Sequence, residues 1–233
     1  MSEKPSPHPK QHRSSRRAPF TLDGQEVEAG QREQIPLTVG TFLTHEELNL
    51  NVTVVHGKKP GPTLLLTAGI HGDEYNGTEI IRRILRHKRL SRLSGTLLAV
   101  PIVNRPGFVT RSRYLPDRRD LNRLFPGSAT GSLGGRLARV LTEEILPHAD
   151  AVIDLHTGAV NRPNFPQIRI SPDSTETLEL ARVFDPPLEL VQLNLQLHQG
   201  TFVVLGLHLV VIRIGAVAGE FLRSIFPTIP VGR

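Results

Sequence analysis

Three short apolar runs, each closed by turn residues, constrain this chain more than any other feature. They are Thr63-Leu-Leu-Leu-Thr-Ala68, Thr96-Leu-Leu-Ala-Val-Pro-Ile-Val103 and Ala151-Val-Ile-Asp-Leu155. All three read as strands, the first as a buried one. Between the first two lies Thr78–His87, where Ile80, Ile81, Ile84 and Leu85 recur at helical spacing. Before the third lies Gly135–Leu146, an amphipathic helix carrying Leu137, Val140, Leu141 and Ile145. Strand, helix, strand, loop, helix, strand is an α/β pattern, doubly wound or related. Ligands in such folds bind beyond the carboxyl ends of the strands.

The flanking regions are less regular. Residues 20–57 alternate polar and apolar in short pieces, of which Asn51–His56 reads as a strand and Gly57-Lys-Lys-Pro-Gly-Pro62 as a turn. Pro101 suggests an end or irregularity in its strand. Residues 104–132 form a long loop rich in Arg, Pro, Gly and Asn, and Asp173-x-x-Glu176 opens a helix to about Phe184. From Leu190 to Gly219 there is no acidic residue and Arg213 is the only formal charge. Thr201–Ile214 is apolar without a helical stripe. An arginine near a bilayer centre costs about 2.5–3.5 kcal/mol on insertion scales, so a buried strand pair is the better reading than a membrane span.

The 233 residues suit one large α/β domain, and a hydrophobic content of 38% supports a core. Cysteine is absent, which excludes disulfides and thiolate ligands. A net charge of +6 hints at nucleic acid, but its placement weakens the hint. Lys4, Lys10, Arg13, Arg16 and Arg17 stand against Glu3 alone within residues 1–19, among four prolines. That stretch reads as a disordered basic tail, and it has no apolar core of a secretory signal. The expected location is the cytoplasm.

Two strand ends carry metal-ligand chemistry. His71-Gly-Asp-Glu74 follows the first run, and His156 directly follows the third. Two ligands from one strand end and a third from another, with the fourth position left to water, is the usual arrangement of a catalytic zinc. Without cysteine, zinc is the default ion for a His/Glu/His set. Asp154 lies two residues before His156, on the same side of the strand. It either hydrogen-bonds a ligand imidazole or is a strand-end acid with a backbone partner. Arg105, Arg111, Arg113, Arg118, Arg119 and Arg123 crowd the following loop. An arginine there could stabilise an oxyanion or clamp a substrate carboxylate. Arg118 and Arg119 read as ordinary surface residues.

Four blocks together resemble the succinylglutamate desuccinylase/aspartoacylase family, a branch of the zinc carboxypeptidase-like fold. They are Gly69-Ile-His-Gly-Asp-Glu-Tyr-Asn-Gly77, Pro101-Ile-Val-Asn-Arg-Pro-Gly-Phe108, Asp120-Leu-Asn-Arg-Leu-Phe-Pro-Gly127 and Asp154-Leu-His-Thr-Gly158, in the family's order. The resemblance implies a three-layer fold, a mixed sheet with helices on both faces. It implies one zinc per chain on His71, Glu74 and His156. It implies that Asn122 and Arg123 contact the substrate carboxylate and carbonyl, that Arg113 clamps a carboxylate, and that Asn104 lines the same pocket. The implied reaction is hydrolysis of the amide of an N-acyl amino acid or related small carboxylate, with no nucleic-acid or membrane partner.

The C-terminal segment departs from the family. Relatives carry a catalytic glutamate in a context like Glu-Ala-Gly-Glu, where this chain has Val217-Ala-Gly-Glu220. Aligned on Ala-Gly-Glu, the catalytic position falls on Val217, and Glu220 serves only if the register slips by three. Relatives also continue into a further β-rich portion beyond the position of Arg233. The expectation is a truncated gene with a reading-frame shift after about residue 188, which would account for these departures. The expected division is a tail over 1–19, a zinc-binding α/β domain over 20–189, and a divergent segment over 190–233. Two rival expectations stand beside an active deacylase: a catalytically weak binder of zinc and small carboxylates, and a basic nucleic-acid-associated protein.

Overall fold

A computed structural model of the chain describes residues 17–41, 44–158, 167–170, 189–191 and 203–206. A small antiparallel ribbon comes first, β1 (Phe20–Leu22) and β2 (Gln25–Val27), joined at Asp23-Gly24. Both turn residues have positive φ, 48° and 69°, the requirement of a tight hairpin turn. There follow β3 (Arg32–Thr41), β4 (Glu47–His56), β5 (Lys59–Ala68), α1 (Asn76–Arg86), β6 (Ser94–Val100), α2 (Arg105–Thr110), α3 (Leu133–Arg139) and β7 (Ala151–Leu155). The remaining described strands are β8 (Gln167–Ile170), β9 (Glu189–Val191) and β10 (Val203–Gly206). From β3 onward the strands form one mixed eight-stranded sheet in the order β3-β4-β6-β5-β7-β10-β8-β9.

The predicted α/β architecture is therefore present, and the reason lies in the three apolar runs. Strand β5 sits between β6 and β7 and is parallel to both. Helices cover both faces of this centre, so residues of either parity are buried and the runs read as continuously apolar. Leu65, Leu98 and Val152 share one core with Leu137, Val140, Leu141 and Ile145 of α3 and the turn after it. Leu64, Leu66, Leu97 and Ile153, of opposite parity, are equally buried. Helix α1 lies over that second face: a Cβ on Gly77 would fall 2.7 Å from the Leu155 Cβ and 2.9 Å from that of Ala68.

Several local expectations need correction. Residues 20–57 are not only short pieces, because β3 and β4 are ten-residue strands of a long hairpin. Their alternation is that of strands with one wet face. The turn expected over 57–62 is shorter, since β5 already begins at Lys59. Pro60 and Pro62 lack the N–H of a regular ladder, and the pairing with β6 shifts register between Lys59 and Thr63. The loop over 104–132 contains α2, started by Asn104, whose side chain accepts from the Gly107 N–H. Its proline content misleads, because Pro106 stands in the first helical turn, where the missing donor costs nothing. The helix over 135–146 changes at Val140 into a wider turn over Val140–Ile145. The helix expected from Asp173 to Phe184 lies outside the described residues, as does most of the strand pair expected within 201–214. Among the described residues no helix is long and apolar enough to cross a membrane.

Candidate metal centre

Parallel pairing of β5 and β7 brings the two candidate strand ends together, with Ala68 in register with Leu155. Beyond Ala68 the chain turns at Gly69, whose φ of +65° suits glycine. His71 opens a tight turn in which the Glu74 N–H donates to the His71 carbonyl. Helix α1 begins two residues later.

Three side chains converge there. His71 Nδ1 lies 2.7 Å from Glu74 Oε1 and 3.2 Å from His156 Nδ1, and His156 Nδ1 lies 3.0 Å from Glu74 Oε2. All three residues are buried, and their ligand atoms lie within 4.8 Å of one another. Two nitrogens bound to one tetrahedral zinc at about 2.0–2.1 Å stand roughly 3.4 Å apart, close to the separation of the two Nδ1 atoms. The donor set, two imidazoles and one carboxylate, therefore fits zinc in chemistry and in spacing.

The outer face of each imidazole is tied to a carboxylate. His156 Nε2 lies 2.6 Å from Asp154 Oδ2, and His71 Nε2 lies 3.2 Å from Asp120 Oδ1. Such partners hold the proton on Nε2, aim the Nδ1 lone pair inward and raise its basicity. Of the two readings of Asp154, the imidazole partner is the one observed. Its other oxygen accepts from Thr67 Oγ1 at 2.7 Å, which fixes the carboxylate in turn. Neither Asp120 nor Thr67 was singled out in the sequence. Asp120 stood inside a recognised block without a role, and its contact with His71 spans 49 residues of chain.

The electrostatics follow from this packing. Without a metal, burial opposes charge on His156, but the Asp154 and Glu74 carboxylates overcome it and push its pKa up to about 10. Burial likewise opposes charge on Glu74, yet His156 and His71 hold its carboxyl below the ordinary range. Asp120 is partly buried and held low by His71, Arg113 and the Asn122 N–H. The site thus keeps its carboxylates ionised, as metal binding requires.

Arg113 is the one loop arginine brought to the centre. Its Nη2 donates to Asp120 Oδ2 at 3.0 Å, and Nη1 lies 3.6 Å from Glu74 Oε1. Asn122 and Arg123 sit on a 3-10 turn opened by Asp120. Asn122 is half-buried, while Arg123 is exposed and reaches the Asn122 carbonyl at 3.3 Å. Arg118 and Arg119 are on the surface, as expected. Asn104, expected to line the pocket, lies between the His71 turn and the start of α2. It is fully buried, its Nδ2 donating to the Ile70 carbonyl at 3.3 Å and its Oδ1 accepting from Gly107 N–H at 2.9 Å. Glu220 and Val217 lie outside the described residues.

Comparison with known proteins agrees with this geometry. Residues 60–203 match the model of the succinylglutamate desuccinylase/aspartoacylase catalytic domain. N-alpha-acetyl-L-2,4-diaminobutyric acid deacetylase of Halomonas elongata is 40% identical over 108 residues, 46% of this chain and 31% of that protein. Succinylglutamate desuccinylase of Pseudomonas aeruginosa is 31% identical over 194 residues, covering 75% of this chain. This chain spans 55% of the latter's length. Among solved structures, a succinylglutamate desuccinylase/aspartoacylase from Rhodobacter sphaeroides superposes with a TM-score of 0.63 at 31% identity, covering 69% of this chain and 52% of that one. An aspartoacylase family protein from Mesorhizobium loti gives 0.63 at 29% identity over 75% of this chain and 57% of that one. With the catalytic-domain match spanning both candidate strand ends and the loop between them, the chain belongs to the succinylglutamate desuccinylase/aspartoacylase family.

Proposed function

We propose that this chain is a zinc-dependent deacylase that hydrolyses the amide bond of a small N-acyl amino acid. One observation carries the reading: His71 Nδ1, Glu74 and His156 Nδ1 converge on a single point from two adjacent strand ends. The names of two relatives, a deacetylase and a desuccinylase, support the substrate class.

Zinc, when bound, supplies a Lewis acid that polarises a carbonyl oxygen and acidifies water. The residues do the rest. Asp154 and Asp120 hold the two imidazoles in the tautomer that presents Nδ1. Arg113 stands beside Glu74 and Asp120, where its guanidinium can stabilise negative charge on a carbonyl oxygen or clamp a carboxylate. Asn122 and Arg123 follow Asp120 on the same turn, where they contact the substrate carboxylate and carbonyl. Glu220 is the acid assigned to take and return the proton.

The test is turnover of formyl, acetyl and succinyl derivatives of several amino acids, before chelation, after it, and after zinc is restored. Turnover that disappears on chelation and returns with zinc supports the reading. Zinc-loaded protein that hydrolyses none of them reduces it to a carboxylate-binding remnant. In the same assay Glu220→Gln should lower kcat by about 10²–10⁴, the usual scale of acid–base catalysis. Unchanged turnover removes Glu220 from the mechanism.

A further inference from the structure

The peptide groups on either side of His71 are both tied to the segment 104–112. The Ile70 carbonyl accepts from Asn104 Nδ2 at 3.3 Å, and the Gly72 N–H donates to the Ser112 carbonyl at 3.0 Å. Within that segment the two anchors are joined. Asn104 Oδ1 accepts from Gly107 N–H at 2.9 Å, and the Gly107 carbonyl accepts from Ser112 N–H at 2.8 Å. A closed circuit therefore runs from Ile70 through Asn104, Gly107 and Ser112 back to Gly72, with His71 as the residue it brackets. One further bond holds the base of the turn, from Asn104 N–H to the Gly69 carbonyl at 2.8 Å.

The fit between the two segments has no slack. A Cβ on Gly72 would lie 2.0 Å from the Gly107 carbonyl carbon, backbone against backbone. A Cβ on Gly107 would lie 2.5 Å from Asn104 Nδ2. Asn104 is itself fully buried, so its amide is committed to this circuit and is not open to a small molecule. Loss of the Asn104 amide would take this donor from the Ile70 carbonyl, and the His71 turn would be free to shift.

We infer that Asn104 is a positioning residue for the metal centre, fixing the backbone on both sides of His71, rather than a residue that contacts substrate. This rests on the zinc reading above and goes beyond it by changing the role of a residue expected to line the pocket. Partners that orient metal ligands typically contribute 10- to 100-fold in metal affinity, and the circuit does the same work through the backbone.

The test is the zinc dissociation constant, measured by competition with a chromogenic chelator, for the wild-type chain, Asn104→Ser and Gly107→Ala. Serine still accepts from the Gly107 N–H as a helix cap but lacks the amide NH2 that donates to the Ile70 carbonyl. Alanine at 107 leaves Asn104 in place and displaces its amide. The expected result is zinc binding weaker by about 10- to 100-fold in both variants. Should one of them fail to fold, the other carries the same measurement. Affinity within about twofold of wild type overturns the inference. So does a lowered melting temperature of the metal-free protein with unchanged zinc affinity, which is the mark of a purely structural asparagine. A raised KM at saturating zinc with unchanged affinity would return Asn104 to the substrate pocket. A wild-type chain that takes up no zinc overturns the metal reading itself, and this role with it.

Discussion

Each imidazole of the centre is gripped at both ends, and that double grip is the main lesson at the scale of single residues. His156 has Asp154 at 2.6 Å on its outer nitrogen and Glu74 at 3.0 Å on its inner one. Removing the outer partner leaves the ring free to rotate and its Nδ1 less basic. Asp154→Ala should therefore weaken zinc binding by about 10- to 100-fold, with Asp154→Asn intermediate because its amide oxygen still accepts from Nε2–H. Chelator competition reads both, and equal affinity in all three proteins would show that Asp154 does not orient the ligand. His71, Glu74 and His156 were legible in the sequence because each sits within a few residues of a strand end, and strand ends are visible as limits of apolar runs. Asp120 was not legible as a partner. Its approach to His71 depends on how the long loop folds back, which no local spacing encodes.

At the scale of elements, the centre depends on β5 and β7 being neighbours, and the opposite end of the same sheet carries a second buried polar cluster. His56 closes β4, with Nδ1 at 2.9 Å from Thr96 Oγ1 and Nε2 at 3.0 Å from the Ala18 carbonyl. Arg17 lies beside it, donating to the carbonyls of Gly57 and Gly95 at 3.0 and 2.8 Å. The charges facing His56 are Arg17 and Glu28, and the Phe20 ring packs on its imidazole. Burial lowers the His56 pKa, Arg17 adds to that, and the Ala18 carbonyl and Glu28 offset part of it. The folded chain thus binds a proton at His56 less readily than the unfolded chain, whose histidine titrates near 6.5. Folding stability contributed here is complete above that value and is lost as pH falls through it toward the folded pKa. The urea midpoint should drop between pH 7 and pH 5, and His56→Gln should flatten that drop. An unaltered slope in the variant would assign the pH dependence to other groups. The central strands and α1 were legible, since burial on both faces writes itself as unbroken apolar runs. Of the long β3–β4 hairpin only Asn51–His56 was legible as a strand, and α2 was not. One wet face broke up the apolar signal in the hairpin, and Pro106 and Gly107 made a capped helix start look like a loop.

At the scale of the whole molecule, the family's catalytic-domain match covers residues 60–203, while the chain spans 55% of the Pseudomonas aeruginosa relative. The three candidate ligands, His71, Glu74 and His156, all lie in the described part of that match. Glu220, the residue proposed to move the proton, lies beyond it, so zinc content and turnover test different parts of the proposal. Ligands come from two neighbouring strands and a turn braced by a distant loop, so zinc should hold the domain together as a unit. Occupancy at 100 times the dissociation constant would add about 2.7 kcal/mol to its stability. The most direct test of the central claim is the zinc content of the purified wild-type chain and of His71→Ala after equilibrium dialysis against the same zinc buffer. The account predicts about one zinc per wild-type chain and almost none in the variant, as expected for a three-ligand site that has lost one ligand. A wild-type chain without zinc, or a His71→Ala chain that retains as much as wild type, would contradict it.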